Sequence, residues 1–138
     1  MLSLEKKYVR GYGRIKMSNE VSRLQPQVQQ RLLRLQQLQQ TLQSVLTQKQ
    51  QLELGLTETE QALNELEKLT KQAVIYKSVG SLLVKAKKTK VTKELKEQRE
   101  LLNMRISVID KQEKRLRTQL KDLQTKLQQD LRPVSPPP

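Results

Sequence analysis

The sequence predicts a mainly α protein, a long antiparallel coiled-coil hairpin with a small β-hairpin at its base. First, the chain is poor in aromatic residues (2%) and has no Cys, Phe, Trp or His, which is typical of long helices rather than a compact globular core. Second, two long runs keep apolar residues at helical spacing. Third, the segment AVIYKSVGSLLVKAKK between the runs switches to β-branched residues around a glycine.

The first helix is expected over residues 25–72. Pro26 suits its first turn, where a missing N–H is no loss. Fourteen positions of a template, from residue 28 to residue 73, are spaced alternately by three and four residues, and ten of them are apolar. Such a sustained 3.5-residue period indicates a coiled-coil seam.

The second helix is expected over residues 89–131, with Thr89 as a candidate N-cap. The same template, from residue 95 to residue 127, finds eight apolar residues at ten positions. Lys49 and Glu113 are charged residues at otherwise mostly apolar seam positions, one in each helix. Antiparallel pairing of the two helices brings them opposite each other. We expect this pair to fix the register rather than to add much stability.

The insert, residues 73–88, is expected to form a β-hairpin. Gly80 and Ser81 fit the centre of a type II′ turn, which pairs Val79 with Leu82 and Ile75 with Ala86. A lone hairpin is marginal in water and exposes two strand edges. We therefore expect hairpins from several chains to complete one β-barrel between subunits. The alternative is a monomer whose hairpin folds back onto its own helix ends.

Apolar residues beyond the seams gather near the free ends of the two predicted arms. Leu32 and Leu33 fall off the first template, and Leu131 follows the last position of the second. A two-helix rod cannot cover such a cluster, and we expect it to stay exposed and to bind apolar partners. The alternative is helix-end fraying with ordinary surface leucines.

The formal net charge is +13 and is unevenly distributed. Residues 73–99 hold eight Lys or Arg against two Glu, whereas residues 26–72 hold five of each sign. A basic region attracts nucleic acid or another acidic partner. A solvated, lysine-rich surface is the simpler interpretation, and nucleic acid is not expected as a partner.

The composition argues against catalysis. Without His or Cys, and with Glu residues spread along helix faces, we expect no metal site, no cofactor and no catalytic triad. A Walker-type glycine-lysine motif is absent, so an enzyme is not expected. No stretch approaches the roughly 20 apolar residues that span a bilayer. The protein is expected in the cytoplasm, with no membrane partner.

Two end segments are assigned by composition. Residues 1–24 are expected to form a disordered basic arm, with Met17 as a possible true start that would make the preceding residues an extension. Residues 132–138 end in PVSPPP and are expected to be a disordered, Pro-rich tail.

Four stretches resemble the β-type subunit of prefoldin, the archaeal chaperone also called GimC. They are PQVQ at 26–29, TQKQQLEL at 47–54, ALNELEKL at 62–69 and, most specifically, VIYKSVGSLLVK at 74–85. The resemblance implies that the hairpin residues build the oligomeric body: Val74, Ile75, Tyr76, Val79, Gly80, Leu82, Leu83 and Val84. It also implies that a tip cluster binds clients: Val28, Leu32, Leu33, Leu35, Leu123, Leu127 and Leu131.

The resemblance further implies a hetero-hexamer of two α-type and four β-type subunits. Its function would be that of an ATP-independent holdase, which captures unfolded client proteins with the tips and passes them to a group II chaperonin. Two alternatives remain: a basic coiled-coil protein that binds nucleic acid, and a structural oligomerisation protein. Neither alternative needs a strand-forming insert.

Overall fold

The computed structural model describes residues 25–131. Two long helices are joined by a two-stranded antiparallel sheet, and the elements follow one another along the chain in the order helix, strand, strand, helix. The fold class is therefore the predicted one, while the β-barrel between subunits stays a prediction. The bounds are Pro26–Glu67 for α1, Ile75–Val79 for β1, Leu82–Ala86 for β2 and Lys88–Asp130 for α2.

The predictions for residues 1–24 and 132–138, including the start at Met17, lie outside the described residues. Helix α1 begins at Pro26 as expected, and the Gln25 carbonyl accepts the first helical hydrogen bonds, from the N–H groups of Val28 and Gln29. It ends at Glu67, five residues before the predicted boundary of 72. Beyond this end, the Lys88 ammonium donates a 2.6 Å hydrogen bond to the Leu69 carbonyl.

Thr89 is not the N-cap of the second helix. Helix α2 begins at Lys88, and the Val91 N–H donates to the Lys87 carbonyl over 3.0 Å. Lys87 therefore holds the cap position, and Thr89 lies within the first turn. The strand β2 ends at Ala86, which leaves one residue between strand and helix. This short connection, rather than side-chain capping preference, decides where the helix begins.

The described residues divide into two compact units. The terminal unit comprises residues 25–44 and 113–131, and the hairpin unit comprises residues 45–112. In the terminal unit the buried side chains follow the predicted seams, with one addition, Gln124. They are Val28, Leu35, Leu38, Leu42, Leu120, Gln124 and Leu127.

The hairpin unit has its own buried seam, which is interrupted at Thr59. This side chain is only 4% exposed, and its hydroxyl donates a 2.8 Å hydrogen bond to the Gly55 carbonyl. A buried hydroxyl needs such a partner. A Cβ added at Gly55 would lie 3.7 Å from Leu102, at ordinary van der Waals distance. The apolar residues buried in this unit are Val45, Leu63, Leu66, Leu102 and Ile109.

Lys49 forms an ion pair with Asp110, at 2.8 Å between the ammonium and the carboxylate. No hydrogen bond reaches this buried carboxylate oxygen within residues 25–131, so the contact is an ion pair without good hydrogen-bond geometry. Glu113 accepts a 2.7 Å hydrogen bond from Arg117, one turn further along α2. The structure thus gives Lys49 an ion pair with Asp110. The pairing of Lys49 with Glu113 stays a prediction.

Candidate assembly and client-binding surfaces

The β-hairpin has the predicted register. Ile75 pairs with Ala86, Lys77 with Val84 and Val79 with Leu82. Gly80 has a φ of 60°, and no other described residue has a positive φ. A type I′ turn needs positive φ at both central positions, so the turn is of the predicted II′ kind, in which only the glycine does.

Both faces of the hairpin are open to solvent. Leu83 is 73% exposed and Leu82 is 66% exposed, although they point to opposite faces of the ribbon. Only Ile75 and Ala86, the first pair of the ladder, are half-buried. The hairpin does not fold back onto its own helices to hide its apolar side chains. The large exposed residues are Val74, Tyr76, Val79, Leu82, Leu83 and Val84.

One ion pair ties the hairpin to helix α2. The Lys77 ammonium lies 2.7 Å from the Glu94 carboxylate. This hydrogen bond lowers the pKa of Glu94 below its ordinary value, and the charges of Lys77 and Lys90 act in the same direction. Both side chains are partly exposed, so the pair orients the ribbon more than it stabilises it.

The tip cluster is more buried than expected. Leu127 is 0% exposed and Leu35 is 1% exposed, and Val28 is buried as well. The expectation that the whole cluster stays exposed is wrong for these three, because they are seam positions that pack between the helices. Leu33 is 58% exposed. The half-buried members are Leu32, Leu123 and Leu131.

The accessible members of this cluster come from both helices. An ion pair between Arg31 and Asp130 joins the start of α1 to the end of α2 within the terminal unit. Leu32 and Leu33 directly follow the arginine, and Leu131 directly follows the aspartate. The unit therefore combines a closed leucine seam with a few leucines that remain accessible to solvent. Client binding by these residues stays a prediction.

Sequence reasoning missed a second apolar surface, in the hairpin unit. Leu101, Met104 and Val108 are exposed on α2, and Met104 and Val108 line an open groove of about 320 Å³ together with Leu52 and Ile109. The signal was available, because the three residues are spaced by three and four positions. It was hidden by Leu102 and Ile109, the adjacent seam residues in the same stretch of sequence.

Among residues 25–131, no group of three or more metal-ligating side chains lies close enough together to hold an ion. Within the same range, neither long helix carries an apolar window that could cross a bilayer.

Two long helices joined by an exposed two-stranded ribbon define a coiled-coil subunit with strand edges available for assembly. The model of the prefoldin subunit family matches residues 29–133. The chain belongs to this family of chaperones.

The relatives include archaeal prefoldin beta subunits. The chain is 48% identical over 110 residues to the prefoldin subunit beta of Thermococcus onnurineus, which covers 80% of this chain and 95% of the relative. It is 49% identical over 110 residues, with the same coverage, to that of Archaeoglobus fulgidus. The crystal structure of the prefoldin beta subunit from Thermococcus strain KS-1 matches with a TM-score of 0.74 and 47% identity, over 80% of this chain and 96% of that one.

Proposed function

We propose that this chain is the β-type subunit of a cytoplasmic, ATP-independent holdase. Two α-type and four β-type copies would assemble through their hairpins, hold unfolded proteins and deliver them to a group II chaperonin. The observation that carries the proposal is the ribbon of six large apolar side chains left exposed on the hairpin. Membership of the prefoldin family supports the same function.

The exposed ribbon favours assembly on energetic grounds. Complete burial of one such side chain contributes about 1.5–3 kcal/mol. Because the six side chains are 48–73% exposed, burying what remains accessible would contribute about 5–11 kcal/mol per hairpin, which is comparable with the cost of association, about 4–15 kcal/mol. The unpaired strand edges add backbone hydrogen bonds between chains. Neighbouring hairpins can therefore bury each other's apolar side chains and pair each other's strand edges, which the single chain cannot do.

The accessible leucines of the tip cluster suit weak, repeated contacts with a client. Leu33 is exposed, and Leu32 and Leu131 are half-buried, so one arm offers only a small apolar area. Several arms on one body raise the total affinity without a tight single contact. Because each contact breaks easily, release would not require ATP.

A polar tip variant tests this function. We expect the triple substitution Leu32→Ser, Leu33→Ser and Leu131→Ser to assemble normally with the α-type subunit but to lose most suppression of aggregation of a chemically denatured enzyme. Native mass spectrometry checks the assembly, and light scattering measures the aggregation.

The matched control is the double substitution Met104→Ser and Val108→Ser, because both residues are also exposed and apolar. We expect it to retain holdase activity. Equal suppression by the wild type and the tip variant would contradict client binding at the tips. Equal loss in both variants would show that exposed apolar area anywhere on the arm is sufficient.

A further inference from the structure

The hairpin is joined to the two helices by connections of very different length. Strand β2 ends at Ala86 and helix α2 begins at Lys88, so Lys87 alone separates them, whereas residues 68–74 lie between α1 and β1. Each residue of a chain contributes two soft backbone dihedral angles. Rotation about Lys87 would therefore swing the hairpin relative to α2 unless other contacts hold it.

Two positions on one face of the hairpin are held. Ile75 and Lys77 lie on the same face of β1, because alternate side chains of a strand point the same way. Ile75 and its ladder partner Ala86 are half-buried at the base of the ribbon. Further along β1, the Lys77 ammonium donates a 2.7 Å hydrogen bond to the Glu94 carboxylate of α2. The hairpin is thus held at its base and again at Lys77.

The contact of Lys77 with Glu94 is placed where it limits the angle between hairpin and helix. Glu94 lies about 9 Å along the helix axis from Lys88, the first residue of α2. Lys77 lies about 7 Å along the strand from Ile75. The hydrogen bond therefore closes a triangle whose opposite corner is the connection at Lys87. We call the pair Lys77–Glu94 the strut.

The strut contributes little to the stability of the fold. The side chains of Lys77 and Glu94 are 49% and 39% exposed, and solvent weakens the attraction of such a pair. Lys90 also attracts the Glu94 carboxylate, but the hydrogen bond comes from Lys77. The main effect of the strut is on the freedom of the ribbon. A segment that is already held in its bound orientation loses less conformational entropy when it associates.

We propose that Lys77 and Glu94 are positioning residues, which hold the hairpin at the angle to α2 at which the hairpin of a neighbouring subunit pairs with it. The inference rests on the proposed assembly through the hairpins and adds the residues that prepare the ribbon for it. The strut lowers the protein concentration at which the subunits assemble. The apolar side chains and the strand edges still provide the contacts between chains.

A distance measurement tests the orientation. The chain has no cysteine, so Ser81→Cys in the turn and Gln98→Cys on α2 carry two spin labels at defined, exposed sites. Pulsed electron paramagnetic resonance of the full chain, diluted below its assembly midpoint, gives the distribution of distances between the labels. We expect Lys77→Met or Glu94→Gln to broaden this distribution. The reversed pair, Lys77→Glu with Glu94→Lys, should narrow it again.

The matched control is Lys85→Met, which also removes a ribbon lysine. Lys85 is exposed on the other face of the hairpin and has no side-chain hydrogen bond or ion pair within residues 25–131. We expect its distance distribution to equal that of the labelled parent chain. A broadening as large as that of Lys77→Met would assign the effect to the net charge of the ribbon and overturn the proposal.

Assembly is measured on the same variants without labels. Each is mixed with the α-type subunit and diluted, and native mass spectrometry gives the midpoint concentration of dissociation. We expect Lys77→Met and Glu94→Gln to raise this midpoint by about fivefold, the upper range for one exposed ion pair. The reversed pair should restore it, and Lys85→Met should not raise it. Circular dichroism checks that the helices are retained.

Three further outcomes would overturn the proposal. Unchanged distance distributions in Lys77→Met and Glu94→Gln would show that the strut does not orient the hairpin. Broadened distributions with an unchanged midpoint would show that this orientation does not affect assembly. A reversed pair that restores neither quantity would show that the pairing itself is not what matters. If the wild type did not assemble, the proposed function would fail instead, while the distance measurement on the single chain would still test the strut.

Discussion

The terminal unit and the hairpin unit treat their apolar residues in opposite ways. In the terminal unit, leucines at a 3.5-residue period are buried between two helices, and Leu127 has no accessible surface. In the hairpin unit, the strands β1 and β2 keep their valines and leucines in solvent. The same residue types are used for internal packing in one place and displayed in the other.

The difference follows from what each element can cover. A helix presents one apolar stripe, and a second helix of the same chain is enough to bury it. A two-stranded ribbon has two faces and two edges, and no other strand occurs among residues 25–131. The seam therefore stabilises the single chain, and the ribbon needs other chains.

The largest expected effect comes from charging the ribbon. The double substitution Leu82→Lys and Val84→Lys should prevent assembly with the α-type subunit, because charges would replace apolar side chains on one hairpin face. Native mass spectrometry should then find the separate subunit, with helical circular dichroism preserved. The control is Leu54→Lys, an equally exposed leucine on α1. Assembly of the Leu82→Lys and Val84→Lys variant at wild-type affinity would contradict the idea that the hairpin, unlike the terminal unit, uses its apolar side chains for assembly.

A truncation in the seam should have the next largest effect. Leu127→Ala is expected to lower the free energy of unfolding by about 2–5 kcal/mol, because it leaves a cavity at a fully buried site. Leu33→Ala should change it by less than about 0.5 kcal/mol, because that side chain is mostly exposed. Chemical denaturation at one fixed protein concentration measures both. Similar values for the two leucines would contradict the buried seam.

The smallest effect concerns the charge within the seam of the hairpin unit. Lys49→Glu should cost about 1 kcal/mol, because Lys49 and Asp110 are partly exposed and solvent screens their attraction. Adding Asp110→Lys should recover most of this loss in the same denaturation experiment. If Glu113→Lys, added to Lys49→Glu in place of Asp110→Lys, recovered the loss instead, the result would support the pairing of Lys49 with Glu113 that the sequence predicts.

The elements and the seam could be predicted because they depend on local spacing. The residues buried in α1 all lie on the four-and-three template, and Pro26 starts the helix through its own fixed φ. The hairpin register followed from Gly80, since a two-residue turn leaves only one pairing. These features need information from only a few neighbouring residues.

Exposure at the candidate sites could not be predicted in the same way. Leu32 and Leu33 both lie off the template and are equally apolar, yet Leu33 is 58% exposed and Leu32 is half-buried. The side chain that faces the partner helix depends on how α2 packs against α1. The exposed apolar surface at Met104 and Val108 did have a signal in the sequence, but the adjacent seam residues Leu102 and Ile109 hid it.

By itself, the sequence determined two coiled-coil helices, a strand-forming insert and an excess of positive charge near that insert. Only the tertiary structure decided which leucines remain accessible, where the helices end and which charged groups lie near each other. Periodicity is a property of the chain and survives in any packing. Accessibility and ion pairing depend on distances between residues far apart in sequence, which exist only after the helices have packed.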